Sequence, residues 1–306
     1  MSYKAGFLGL IGQPNAGKST LMNYLVSEKV SIVTNKPQTT RRRVMGVWST
    51  EGGQIVFVDA PGLIKADKGL NGFLSKEADD VISTSDALLA VISVDERNPE
   101  DAEKVIRMVA ASGKPWIGII TKSDIQEKQH RIMIIKKMIE DNNGKALQVT
   151  ALDMDGDKEN RDALLIDCLA MMPESPQPLY DVELFTPHNT RDLAAEIIRE
   201  KCFEFVHQEI PFNIAVRIVK FDEIAIPCPK IYAEILVAKE NHKPIVIGKG
   251  ASVLKEIGMA ARKEIEEMMG QRIFLDIKVN FKEDWYNNKR IMQELGYARD
   301  TKSDNE

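Results

Sequence analysis

Short apolar runs of strand length recur through the first half of the chain, at Gly6–Ile11, Ile55–Asp59, Leu88–Val94, Trp116–Thr121 and Leu147–Thr150. Helical patterns starting near Lys18, Glu100, Gln126 and Asn160 separate them. Strand and helix in alternation predict a doubly wound α/β domain with a parallel sheet over residues 1–172. Arg43–Trp48 reads as one further strand, folded back antiparallel on Gln54–Val58 across the turn at Glu51-Gly52-Gly53. From 173 to 187 four prolines fall in fifteen positions without periodicity, the pattern of a linker. Beyond it the periodicity changes. A long amphipathic helix (Thr190–Glu209), two β-rich runs (Asn213–Val219 and Ile231–Ala238), a glycine-containing loop, a second helix to Met269 and a strand at Arg272–Val279 predict an α+β domain over 188–285. Residues 286–306 read as a polar, ragged tail.

Composition leaves this picture in place. The chain has 306 residues, enough for two domains with cores of their own, and is 43% hydrophobic and 28% charged. No apolar run approaches the roughly 18 residues of a membrane span. Ala5–Ile11 follows a lysine but lacks a cleavage site and runs into a glycine loop, so it reads as a buried strand rather than a signal core. Three scattered cysteines, Cys168, Cys202 and Cys228, make no disulfide framework and suit a reducing, cytoplasmic compartment. A net charge of −5 excludes coating nucleic acid by bulk charge, so any such contact has to come from a local patch.

Candidate chemistry clusters at the ends of the predicted strands. Gly12-Gln13-Pro14-Asn15-Ala16-Gly17-Lys18-Ser19, followed by Thr20, lies between a strand and a helix, the context of a phosphate loop. Its glycines let backbone N–H groups curl round phosphate oxygens, Lys18 bridges the β- and γ-phosphates, and Ser19 ligates Mg²⁺. Asp59-Ala60-Pro61-Gly62 supplies a carboxylate for the metal and a glycine whose N–H can reach the γ-phosphate. Between them, Gln38-Thr39-Thr40-Arg41 has the position of a switch loop. Thr40 is the better candidate for the metal and Thr39 the alternative. Thr121-Lys122-Ser123-Asp124 favours guanine, because the Asp124 carboxylate accepts from guanine N1–H and N2–H₂ whereas adenine presents an acceptor at N1. Thr150-Ala151-Leu152 follows the last strand, where a backbone N–H can meet the guanine O6. Leu63 stands where a water-orienting glutamine would be, and an alkyl group cannot orient water, so slow unaided turnover is expected. Asn15 is either a loop-stabilising residue or a ligand for a K⁺ beside the phosphates.

In the second domain Gly248-Lys249-Gly250-Ala251 opens the helix that carries Lys255. From Lys243 to Lys263 five basic residues face one acid. A Gly-x-x-Gly loop of this kind clamps single-stranded nucleotides. Alanine replaces the fourth glycine; a helical backbone at Ala251 would carry its methyl without strain.

The phosphate loop, Gln-Thr-Thr-Arg, Asp-Ala-Pro-Gly, Leu63 and the later Gly-Lys-Gly module, in this order, resemble the Era family of ribosome-associated GTPases over residues 4 to about 285. The resemblance implies an α/β P-loop NTPase of Ras-like G-domain type followed by an α+β type II KH domain. It also implies GTP hydrolysis to GDP with Mg²⁺, binding near the 3′ end of 16S rRNA, and a role in 30S subunit maturation. Loose peripheral association with the inner membrane and a monomeric state belong to the same expectation, and DNA binding does not. The alternative is a nucleotide-gated switch whose KH-like domain binds a protein partner.

Overall fold

The run Ala87–Ser93 is buried at every position, and alternate residues feed two separate clusters: Leu89 and Val91 pack with Leu8, Leu25 and Phe57, while Leu88 and Ile92 pack with Val58, Val105 and Ile139. Such a strand needs helices on both faces of its sheet. In this computed structural model, which describes residues 2–34, 36, 39–63, 68–96, 98–149 and 158–297, it has them. The chain divides into two units, Met1–Ala66 with Leu74–Pro187 and Asp67–Phe73 with His188–Glu306.

The elements run β1 (Lys4–Ile11), α1 (Lys18–Val26), β2 (Val44–Thr50), β3 (Gly53–Asp59), α2 (Gly69–Thr84), β4 (Ala87–Ser93), α3 (Pro99–Ala111), β5 (Trp116–Thr121), α4 (Gln129–Asp141), β6 (Lys145–Val149) and α5 (Lys158–Ala170). The sheet order is β2-β3-β1-β4-β5-β6. All pairings are parallel except β2 with β3, the expected antiparallel pair, where Val47 faces Val56. Because β1, β3 and β5 are parallel, their C-terminal ends lie on one edge of the sheet. The phosphate loop, Asp59 and Thr121 each follow one of these ends, so residues a hundred positions apart in sequence share a site. α2 was passed over by the pattern reading, although Leu70, Leu74, Ala78 and Val81 recur at helical spacing on its buried side.

The proline-rich segment read as a linker lies along the first unit. The Val47 N–H donates to the Phe185 carbonyl at 2.8 Å, the Ser175 N–H to Tyr3 at 2.8 Å, and the Thr186 hydroxyl to Met45 at 2.6 Å. Fully buried Gln54 fastens it further: its side-chain oxygen accepts from Leu179 N (2.8 Å) and Tyr180 N (2.9 Å), and its amide donates to Tyr180 O (2.9 Å). Prolines cannot extend the sheet, yet the segment still occupies backbone groups of edge strand β2 that would otherwise be open.

The second unit contains α6 (Thr190–Phe205), β7 (Ile214–Asp222), β8 (Lys230–Val237), α7 (His242–Ile247), α8 (Ser252–Met269), β9 (Phe274–Phe281) and α9 (Lys289–Glu294). Its sheet order is β7-β8-β9, with β7 and β8 antiparallel and β8 and β9 parallel. The core lies between one face of the sheet and α6 and α8, through Ile198, Cys202, Ile231, Ile235, Ile257 and Ile265. α6 stops four residues before the expected Glu209, because Val206 turns extended (φ −107°, ψ 139°). α7 escaped the sequence reading; it is a single short helix with Pro244 in its first turn, where proline is tolerated. The expected ragged tail is ordered through Tyr297: Trp285 is fully buried, and Met292, Leu295 and Tyr297 are nearly so. Three buried side chains of the tail, with Trp285 just before it, are enough to hold it.

Candidate functional site

The phosphate loop owes its shape to left-handed backbone at Asn15 (φ 64°) and Gly17 (φ 90°). Successive N–H groups in such a turn point inward and form an anion nest at the start of α1. Gly12 is required by space, since a Cβ there would lie 2.3 Å from the Val91 carbonyl oxygen on β4. Gln13 is half-buried, Ala16 and Lys18 are buried, and Ser19 and Thr20 stand in the first turn of α1. The Lys18 ammonium donates to the carbonyls of Gly12 (3.1 Å) and Gln13 (3.0 Å). Burial pulls its pKa down, while Asp59 and Glu96 oppose that.

Three oxygens expected at the metal converge. The Asp59 carboxylate accepts a very short hydrogen bond from the Ser19 hydroxyl and a 3.3 Å bond from Thr40, and the Ser19 and Thr40 hydroxyls lie 2.9 Å apart. Asp59 is fully buried, and its other oxygen, Oδ1, has no hydrogen-bond partner among the described residues. Burial raises its pKa; Lys18 and the hydroxyls of Ser19, Ser31 and Thr40 pull it back. A buried carboxylate with one oxygen unpaired, beside two hydroxyls, is the donor set of a hard cation that keeps several waters. Thr39 points elsewhere, to Lys36 O and the Thr34 hydroxyl, both at 2.8 Å. Gly62 closes on the loop: a Cβ there would meet Pro14 at 2.6 Å, and the next N–H, of Leu63, donates to Gly12 O at 3.3 Å. The Leu63 side chain packs against the cluster of Ile11 and Val58.

Thr121 joins the phosphate loop to the base-reading end of β5. Its hydroxyl lies 2.7 Å from Ala16 O and 3.3 Å from Ile92 O, and with one proton it donates chiefly to the nearer carbonyl. Lys122 is left-handed (φ 55°) and Asp124 is exposed, its carboxylate open to solvent. Thr150, Ala151 and Leu152 lie outside the described residues, as does Gln38.

Three residues of this neighbourhood went unremarked in the sequence. Ser31 donates to Asp59 at 3.3 Å. It can do so because buried Asn23, on α1, accepts from the N–H groups of Val30 (3.1 Å) and Ser31 (2.9 Å) and donates to Ser31 O (2.8 Å). Glu96, after β4, interacts electrostatically with Lys18 and Lys122; burial lifts its carboxyl to about 7, and Oε2 is buried without a hydrogen-bond partner among the described residues. None belongs to a motif, and only the fold brings them to the edge of the sheet.

In the second unit the chain reverses between α7 and α8 through Gly248 (φ 74°, ψ 168°), Gly250 (φ 61°, ψ 26°) and Ala251 (φ 62°, ψ 28°). Only glycine suits Gly248, where a Cβ would also lie 2.7 Å from Val253. Lys249, Gly250 and Lys255 are exposed. The loop therefore presents an exposed lysine at the N-terminus of an 18-residue helix. Ala251 differs from expectation. It is left-handed, not helical, because a turn this tight needs two left-handed residues in succession, and its Cβ makes that conformation costly by about 1–2 kcal/mol.

Known families match part of each unit. The model of the 50S ribosome-binding GTPase family matches residues 7–122, and that of the KH domain matches 209–286. The GTPase Era of Syntrophus aciditrophicus is 38% identical over 299 residues, covering 96% of this chain and 95% of the relative. That of Alkaliphilus metalliredigens is 35% identical over 300 residues, covering 97% and 100%. The chain belongs to the Era GTPase family. It is a GTPase, with a Ras-like G domain followed by a KH domain. Among solved structures, a variant of Aquifex aeolicus Era bound to GDP.AlF4⁻ superposes with a TM-score of 0.88 at 34% identity, covering 97% of this chain and 100% of that one. Era in complex with MgGDPNP and nucleotides 1506–1542 of 16S ribosomal RNA gives 0.88 at 33% identity with the same coverage.

Proposed function

We propose that this GTPase binds the 3′ region of 16S rRNA through the Gly248–Ala251 loop and acts in maturation of the 30S subunit. The observation that carries the reading is the loop itself: two left-handed residues turn exposed Lys249 and the N-terminus of α8 outward together, the arrangement that lets backbone approach phosphates closely. The Era relative crystallised with nucleotides of 16S rRNA supports the choice of RNA over a protein partner.

At the nucleotide, Lys18 takes the β- and γ-phosphates, Gly62 offers its N–H to the γ-phosphate, and Asp124 with Lys122 and Thr121 holds guanine. Thr150, Ala151 and Leu152 complete the base contact. Ser19, Thr40 and Asp59 would hold Mg²⁺, which would supply positive charge against that developing on the phosphates. Leu63, packed on the core, leaves the attacking water without an orienting side chain and keeps unaided turnover slow. Asn15, exposed in the phosphate loop, would hold a K⁺ that would supply positive charge in place of an arginine finger; equal turnover in K⁺ and Na⁺ buffers at matched ionic strength would overturn that part.

The chain works in the cytoplasm as a monomer. Its three cysteines are free thiols, consistent with a reducing compartment. No helix among the described residues is long and apolar enough to cross a membrane, and peripheral contact with the inner membrane rests on family resemblance alone. Crosslinking the protein to RNA in cells and sequencing the recovered fragments tests the reading. Reads should pile up at the 3′ end of small-subunit rRNA; a profile no different from an uncrosslinked control would contradict it.

A further inference from the structure

The second unit's sheet has a face that the KH loop does not use. Ile231, Ala233, Ile235 and Val237 point into the core, so Lys230, Tyr232, Glu234 and Leu236 point the other way. At the Leu236 end this outer face is covered. Leu236 is fully buried, the Trp285 indole donates to Asn213 O at 2.9 Å, and Glu294 of α9 pairs with outward-facing Arg217 at 2.9 Å.

At the other end it is bare. Phe274 is 46% exposed and Tyr232 is half-exposed, with ring centroids 5.8 Å apart and planes inclined by 55°. Lysines flank them in register: Lys220 of β7 lies opposite Tyr232, and Lys230 lies opposite Phe274. Exposed Lys278 follows on β9. None of the three is in an ion pair with a described residue. Asp222, Asp276 and Glu234 share the surface, opposite Lys230, Tyr232 and Lys278, so three lysines share the face with three acids and it carries no net excess, only lysines that form no ion pair with a described residue. A cross-strand aromatic pair alone stabilises a sheet. Rings left exposed beside unpaired lysines also suit a polyanion whose monomers carry π-faces.

We propose that Tyr232 and Phe274 form a stacking platform for single-stranded RNA bases, a second contact for RNA already held by the Gly248–Ala251 loop. This rests on the RNA reading above. Stacking supplies the affinity, and Lys220, Lys230 and Lys278 take the phosphates. β9 is an edge strand, so a strand of RNA can pass round it from the helical face to the outer face. α8 begins at the loop and ends shortly before Phe274; its 18 residues at about 1.5 Å each put the platform roughly 27 Å from the clamp. A KH clamp holds about four nucleotides, so only longer RNA reaches the rings.

The test uses the full chain, with two labelled RNAs: the 16S fragment 1506–1542 and a piece of about four nucleotides cut from it. Phe274→Leu keeps an apolar side chain on the strand but removes the π-face. It should weaken the long RNA about tenfold and leave the short one unchanged, and Phe274→Trp should restore the wild-type value. In the wild type, photo-crosslinking of the long RNA should label Tyr232 or Phe274, a readout that needs no variant to fold. Equal affinity of Phe274→Leu and wild type for the long RNA, or crosslinks that avoid β8 and β9, would overturn the platform while leaving the loop reading intact. Failure of the wild type to bind either RNA would overturn the loop reading, and the platform with it.

Discussion

Ala251 is the residue at which sequence and structure part most sharply. Its left-handed backbone carries a methyl group that glycine would spare, so Ala251→Gly should raise stability by about 1 kcal/mol, opposite in sign to what a helical position would give. Denaturant titration of both proteins checks this. Glu96 gives a second prediction. Its folded pKa, about 7, lies above its ordinary value near 4.5, so the fold favours the neutral carboxyl; that stabilisation is intact below pH 4.5 and is lost as pH rises through 7. Glu96→Gln keeps the shape and cannot ionise. The two proteins should melt alike near pH 4, and the variant should gain on wild type up to about 2 kcal/mol by pH 8, after allowance for partial exposure. At this scale the sequence singles out Lys18, Ser19, Thr40 and Asp59, because phosphate and metal chemistry prescribe such types and spacing, and the fold brings the Ser19, Thr40 and Asp59 oxygens together. Asn23, Ser31 and Glu96 were illegible, because only tertiary placement gives them a task.

Among elements, the strands were readable wherever burial on both faces left a continuous apolar run, as in β1, β4 and β5. α2 was missed because polar residues interrupt its stripe, including Glu77, which is itself buried and pairs with Arg43 at 2.7 Å. The segment 173–187 looked like a linker because proline content reports what cannot continue a helix or strand; it does not report what the backbone rests against. Gln54 holds that segment with three hydrogen bonds from one fully buried side chain. Gln54→Ala leaves the N–H groups of Leu179 and Tyr180 without their acceptor, and should cost about 2–3 kcal/mol. Limited proteolysis should then cut between 173 and 187 faster than in wild type, and unchanged cutting would show that the segment is held by other means.

For the whole molecule, the central claim is that one chain joins a GTPase centre to a separate RNA clamp. Lys249→Asp with Gly250→Asp addresses the clamp without unfolding it. A Cβ at Gly250 meets nothing within 4 Å, and aspartate tolerates left-handed backbone better than most residues. Two carboxylates then face the phosphates that lysine and backbone N–H groups would otherwise meet. The decisive measurement is RNA affinity for the 16S fragment 1506–1542, with RNA-free GTP turnover recorded on the same preparations. The account predicts that the double variant loses RNA binding while its turnover equals that of wild type; a double variant that binds this RNA as tightly as wild type would contradict it.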